Sequence, residues 1–244
     1  MTAAILIPAR MESKRLPGKP LVQVGGKPLV QWAWEAASAV SDYSAVVTDS
    51  REVEAWCRDF GARSCFVPDD LPTGSDRCAA AYHHGRLDAP EDWETIINLQ
   101  CDEPDITSED LEWLIADHRN RLDNVTTFAY EPVDSDEFFD RNNVKVVLNQ
   151  ERDALYFSRE PLPGAMIHVG VYAYRPTYLL GRYALKPPGR LEQIECLEQL
   201  RVLELGNSGG MYRSDQIRVL NLGCPVRSIN TPADVERFNA AVTV

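Results

Sequence analysis

Short, mostly apolar runs alternate along this chain with longer stretches whose apolar residues recur every three or four positions. Ala4 to Ile7, Tyr43 to Thr48, Arg63 to Val67 and Glu94 to Leu99 are runs of the first kind, the pattern of strands buried on both faces of a parallel sheet. Pro28 to Val40, Glu52 to Phe60 and Thr73 to Leu87 are stretches of the second kind, and their spacing predicts helices packed on that sheet. Strand and helix alternating in this way imply a parallel sheet with helices on both faces. The second half has a different texture. A helix is expected over Ser108 to Arg121, with Glu109 and Asp110 favouring its start. Asn124 to Tyr130, Asn143 to Leu148 and Ile167 to Tyr174 then read as strands with no long helix between them. The pattern predicts one amphipathic helix over Arg190 to Leu205, a strand over Gln216 to Asn221 and a closing helix over Thr231 to Val242. The reading is a single α/β domain over 1–244, with a mixed, mostly parallel sheet and a smaller mixed lobe inserted at about 128–207.

One loop changes the picture. The strand Ala4 to Ile7 stops at Pro8, and the next residues carry Arg10, Lys14, Arg15 and Lys19 around Pro17 and Gly18. Open α/β sheets bind ligands past the C-terminal ends of their strands, so four cations here suit a polyanion, most simply a nucleoside triphosphate. A solvated basic surface loop is the plainer alternative. Pro and Gly weigh against it because they fix the path of the chain. Neither GxxxxGK[ST] nor GxGxxG is present, which argues against a P-loop ATPase and a dehydrogenase. At the end of another apolar strand stand Gln100, Cys101, Asp102 and Glu103. Asp102 is placed to hold a metal against a triphosphate, since Mg²⁺ takes one or two carboxylates plus phosphate oxygens. Two ordinary surface acids are the alternative there.

Composition narrows the classes. The 244 residues carry 25 basic and 37 acidic side chains, a net charge of −12, which disfavours a nucleic-acid partner. No apolar run approaches the ~18 residues of a membrane span, so no membrane partner is expected. The six cysteines (Cys57, Cys65, Cys78, Cys101, Cys196, Cys224) form no CxxC pair. A reduced, cytoplasmic setting without disulfides is the expectation.

Read in order, IPARMESKRLPGKPL, VTDSREV, PTGSDR, NLQCDEP, NNVKVVLN, ALYFSR, HVGVYAYR, LEQIECLEQLRVL and INTPADVERF resemble the 3-deoxy-manno-octulosonate (Kdo) cytidylyltransferases, the CMP-Kdo synthetases of lipopolysaccharide synthesis, over nearly the whole length. The resemblance implies a nucleotide-diphospho-sugar transferase-like, Rossmann-like α/β fold, usually dimeric. The implied reaction joins CTP and a 2-keto sugar acid to give a CMP-sugar and pyrophosphate, with Mg²⁺. By the same matching, Arg10, Arg15, Lys19 and Asp102 are the catalytic candidates. Ala9, Arg10, Arg15, Lys19, Gly74, Ser75, Arg77 and Gln100 are the nucleotide candidates, and His168, Tyr172, Glu198 and Gln199 the sugar candidates. Taken alone, His168 reads as structural, and Glu198 and Gln199 as the wet face of a helix. Asp102 and Asn230 are the metal candidates.

The chain departs from the family pattern at several places. Asn230 stands where the family has its second metal aspartate, so an Mg²⁺ there meets one charge fewer. Cys101 replaces a glycine and Gln193 a histidine, and Glu160 to Ile167 is short where the family has a longer segment. Two alternatives to a Kdo enzyme follow: the same chemistry on a modified Kdo or another acidic sugar, and a catalytically weakened homologue that binds nucleotide or sugar.

Overall fold

The structure, a computed structural model, describes residues 3–68, 70–83, 87, 93–121, 123–206 and 216–242. Strand β1 (Ala3–Pro8) enters the cationic loop, which ends in a 3-10 turn at Lys19–Leu21. A small ribbon of β2 (Gln23–Val24) and β3 (Lys27–Pro28) leads to α1 (Leu29–Val40). Next come β4 (Ser44–Thr48), α2 (Arg51–Phe60), β5 (Ser64–Phe66), α3 (Gly74–His83), β6 (Thr95–Leu99), α4 (Ser108–Arg121) and β7 (Val125–Tyr130). The remainder is α5 (Ser135–Phe139), β8 (Lys145–Leu148), β9 (Ala154–Ser158), β10 (Met166–Tyr174), α6 (Pro176–Tyr178) with a π-helical turn at Leu179–Tyr183, α7 (Arg190–Glu195), α8 (Leu200–Leu205), β11 (Ile217–Asn221) and α9 (Pro232–Val242).

Among the described residues, the nine strands other than β2 and β3 make one sheet, ordered β11-β7-β10-β6-β1-β4-β5, with β8 paired to β10 and to β9. β1 runs parallel to β4 and β6, and β5 parallel to β4. β10 runs antiparallel to both β6 and β7, which makes the sheet mixed. Side chains alternate across it with the period of a strand. Ile5 and Ile7 face a cluster with Val30, Ala33, Val53, Cys57, Leu111 and Leu114 from α1, α2 and α4. Ala4 and Leu6 face the other way, toward Cys78, Ala79 and Ala81 of α3. Both faces are thus covered by helices, as the apolar runs predict.

A third cluster of Leu16, Val24, Leu29, Ile229 and Phe238 lies under the cationic loop. Leu16 therefore anchors the loop between its charges, and Gly18 adopts φ 70 to turn it, a conformation glycine takes without penalty.

Several sequence expectations shift. The predicted helix over Arg190 to Leu205 is two short helices, because Cys196 adopts the left-handed conformation at φ 55. The break turns Leu197 to Gln199 inward. The apolar pattern does not predict β9 or the turns of 176–183, and the predicted end of the Thr73 to Leu87 helix falls partly outside the described residues. The stretch expected as an inserted lobe supplies β10 to the middle of the main sheet, while the β8–β9 ribbon, α7 and α8 build outward from it.

Candidate active site

Because β1 and β6 are parallel neighbours, the loops that follow them emerge side by side. Two connected cavities open there, of about 840 Å³ and 550 Å³. The larger is lined by the cationic loop, including Lys14, Arg15 and Lys19, and by Leu71 to Gly74. The smaller is lined by Arg159, His168, Tyr172, Glu192 and the 196–199 turn. Arg10, Arg15, Gly74, Gln100, Asp102 and Asn230 line both, and so mark the junction.

Charge is concentrated at that junction. Lys19 Nζ forms an ion pair with Asp102 Oδ2 and donates to Asn230 Oδ1 at 3.2 Å. Arg15 donates to the same Asn230 oxygen at 2.9 Å and to Asn142 Oδ1 at 2.5 Å. A backbone bond from Ile229 N to Asp102 O at 2.9 Å fastens the closing segment to the Asp102 loop. One carboxylate and one amide oxygen therefore already converge on a single cationic nitrogen. Hard oxygen donors of this kind fit Mg²⁺, which completes its shell with phosphate and water oxygens. Among the described residues, no group of three or more His, Cys, Asp or Glu side chains comes together to hold a metal.

Cys101 has no positive φ, so this position accepts a side chain with ordinary backbone geometry. Its thiol is buried, which pushes its pKa up to about 12. Asp234 accepts bonds from Asn230 N, Thr231 N and Thr231 Oγ1 at 2.8–2.9 Å. Its carboxylate is thus engaged in shaping the 230–231 turn.

The smaller cavity is organised around a bulge in β10. The register against β7 shifts between Val169 and Tyr172, and Gly170 sits in the gap. Gly170 N donates to Glu103 Oε1 at 2.9 Å, and Gly170 O accepts from Gln100 N at 3.2 Å. Bulges re-aim side chains in this way beside functional sites. Glu103 also accepts from Ser228 Oγ at 2.7 Å. Burial, with the neighbouring Asp102 charge, pushes its pKa up to about 8.

Glu198 accepts from Ser75 N at 2.9 Å and Gln100 Nε2 at 2.8 Å, and burial raises its pKa. Tyr172 donates to Gln199 Oε1 at 3.2 Å. His168 Nε2 lies 3.0 Å from Thr127 Oγ1, and its ring lies 5.2 Å from Phe157 and 5.4 Å from Tyr172. Burial lowers its pKa to about 3, so the imidazole is neutral near pH 7.

Not every candidate faces a cavity. Ala9 staples β1 to β4, donating to Val47 O at 2.9 Å and accepting from Thr48 Oγ1 at 2.6 Å. Ser75 Oγ is buried against Tyr174 and Asn98. Arg77 lines the larger cavity, but its guanidinium holds Val67 O at 3.0 Å and Asp49 at 2.8 Å. Asn142, Arg159, Glu103, Glu192 and Ser228 line the smaller cavity although the sequence does not single them out as site residues. Asn142 lies inside the NNVKVVLN motif and Arg159 inside ALYFSR, and that is their only signal in the sequence.

This fold and this junction define a nucleotidyltransferase of the nucleotide-diphospho-sugar transferase type. Residues 4–208 match the family model described as Cytidylyltransferase, and the chain belongs to that family. The 3-deoxy-manno-octulosonate cytidylyltransferase of Photobacterium profundum is 35% identical over 99% of this chain and 100% of its own length. That of Synechococcus elongatus is 40% identical over 96% of each. A solved CMP:2-keto-3-deoxy-manno-octonic acid synthetase complexed with CTP has TM-score 0.83 and 35% identity, covering 100% of this chain and 99% of that one. A 4-diphosphocytidyl-2C-methyl-D-erythritol synthase from Anaerococcus prevotii, 12% identical with TM-score 0.60 and covering 99% of this chain and 98% of its own, shares the fold.

Proposed function

We propose that this nucleotidyltransferase transfers CMP from CTP to 3-deoxy-manno-octulosonate and releases pyrophosphate. The observation that carries the reading is the meeting of a cation-lined cavity with a polar, hydroxyl- and carboxyl-lined one at Arg10, Gln100, Asp102 and Asn230. The sugar's anomeric hydroxyl oxygen attacks the α-phosphorus, the bond to pyrophosphate breaks, and the hydroxyl proton leaves to solvent. Such a displacement needs alignment and neutralised phosphate charge more than covalent help. Arg10, Arg15 and Lys19 are assigned to the triphosphate, where charge-assisted bonds are strong. Gly74 and Gln100 line the nucleotide's path, and Ser75 supports it from behind. His168, Tyr172, Glu198 and Gln199 are assigned to the sugar, whose hydroxyls need mixed donors and acceptors.

Asp102 and Asn230 are the residues suited to hold Mg²⁺. When bound, that ion would neutralise phosphate charge. On nucleotide binding, Lys19 would exchange its bond to Asp102 for one to phosphate. We further assign the chain to a cytoplasmic homodimer that activates the sugar for lipopolysaccharide synthesis. Among the described residues, no helix is long and apolar enough to cross a membrane.

The test is pyrophosphate release from CTP with Mg²⁺ or Mn²⁺ against 3-deoxy-manno-octulosonate, its amino analogue, sialic acid and no sugar. Release with the octulosonate above the others is expected. Preference for the amino analogue would move the substrate, and silence with every sugar and both metals would overturn the reading.

A further inference from the structure

Behind both cavities lies a buried ionic knot that touches neither ligand space with its cation. Arg201, in the first turn of α8, is 1% exposed. Its Nη1 and Nη2 donate to the two oxygens of Asp76 at 2.7 and 2.8 Å. Its Nε and Nη2 donate to the two oxygens of Glu192 at 2.7 and 2.6 Å. Nη1 also reaches Lys186 O at 3.3 Å, so all five guanidinium donors are used. The guanidinium carbon lies 4.2 Å from the centre of the Tyr183 ring.

The two carboxylates belong to different walls. Asp76 stands in the first turn of α3 and is bonded to Thr73 through Thr73 Oγ1 at 2.7 Å. Thr73 and Gly74 line the larger cavity and its junction with the smaller one. Glu192 belongs to α7, which with the 196–199 turn walls the smaller one. Glu198 makes a second tether between the same walls through Ser75 N. The α7–α8 wall consists of two six-residue helices separated by left-handed Cys196. Helices this short do not hold themselves together, so their order depends on what they are tied to.

We infer that Arg201 is a positioning residue that couples the two substrate sites, so that a sugar acid seated against α7 and α8 orders the first turn of α3 beside the nucleotide. The inference rests on the assignment of nucleotide and sugar acid to the two cavities. A ligand that orders a shared element lowers the ordering cost for a second ligand, and the effect is reciprocal. A lysine at 201 would keep the charge but could not bridge two carboxylates in this forked manner.

The experiment measures binding of α,β-methylene-CTP, which cannot react, with and without saturating 3-deoxy-manno-octulosonate. The unsubstituted protein is expected to bind the analogue roughly ten-fold more tightly with the sugar present. Arg201→Met and Asp76→Asn should each bring that factor near one while changing affinity for the analogue alone by less than about three-fold. The double substitution should add little, the signature of one shared interaction, and Arg201→Lys should fall between. If Arg201→Met does not fold, Asp76→Asn carries the test, since it leaves the Arg201–Glu192 pair in place. A coupling factor unchanged in the variants would overturn the inference, as would collapse of analogue affinity without sugar. Binding of both ligands without synergy in the unsubstituted protein overturns the coupling alone. Binding of neither overturns the functional reading and the coupling with it.

Discussion

The two cavities solve the problem of charge in opposite ways. At the junction with the cavity assigned to the nucleotide, Arg10 is exposed and, among the described residues, makes no hydrogen bond or ion pair. Arg15 and Lys19 rest on amide oxygens and on Asp102, partners they can leave for phosphate. In the smaller cavity, assigned to the sugar, the acids of the wall are already engaged: Glu103 by Gly170 and Ser228, Glu192 by Arg201, and Glu198 by Ser75 and Gln100. One cavity keeps cations available for a ligand that brings its own negative charge. The other, away from the shared junction, has a polar wall whose acids are already satisfied, suited to selection by shape and hydrogen bonding. An enzyme that activates one substrate and merely orients the other needs both arrangements.

Removing charge at the junction should have the largest effect. Lys19→Ala and Arg15→Ala are each expected to lower turnover about a hundred-fold, the scale of losing a donor aimed at developing charge. Asp102→Asn should abolish the metal-dependent rate. Pyrophosphate release at saturating CTP is the measurement, and unchanged turnover in all three would erase the contrast between the cavities. The satisfied wall should respond to shape instead. A Cβ on Gly170 would lie 2.8 Å from Gln100 Oε1 and 2.9 Å from Glu103 Oε1. Gly170→Ala is therefore expected to cost about 1–3 kcal/mol of stability by overpacking and to raise KM for the sugar more than for CTP. Equal rises for both substrates would show that the two walls do not divide the work.

The alternating apolar runs make the first half of the fold legible, because β1, β4 and β6 are buried on both faces and read as strands without help from context. The cationic loop is legible for a related reason: Pro17 and Gly18 pin its path, so four basic residues stay gathered past a strand end although their charges repel. The satisfied wall is not legible. Glu198 and Gln199 read as the wet face of an amphipathic helix, nothing in the sequence singles out Glu192 or Arg201, and only the three-dimensional partners Asp76, Ser75 and Gln100 offset the cost of burying these charges. β9 escapes the pattern because a register shift against β8 leaves Leu155 unpaired and turned outward while Phe157 faces inward, which breaks the two-residue alternation of a five-residue strand.

Acid should probe the finished wall at a smaller scale. Burial lowers the pKa of His168 to about 3 and, with the nearby Arg175 charge, that of His118 to about 4. In the unfolded chain both rings protonate near pH 6.5. Their contribution is thus full above that pH and is lost as the pH falls toward the folded values. Between about pH 7 and pH 5 each ring should cost roughly 2 kcal/mol, read from urea unfolding. His118→Asn, remote from the cavities, should remove its share of this slope and leave KM values unchanged. A slope unaltered by the substitution would mean that the ring is not held neutral by the fold.

The smallest expected effect tests the break that separates α7 from α8. Cys196 holds φ 55 and ψ 47, a left-handed conformation that costs a non-glycine residue about 1–3 kcal/mol. Glycine takes it freely but loses more chain entropy on folding. Cys196→Gly should therefore raise stability by at most about 1 kcal/mol, measured by urea unfolding. Because Cys196 lines the smaller cavity, the same variant should shift KM for the sugar slightly while leaving that for CTP alone. Destabilisation instead would mean that the thiol's packing, rather than the backbone turn, is what keeps Glu198 and Gln199 facing inward.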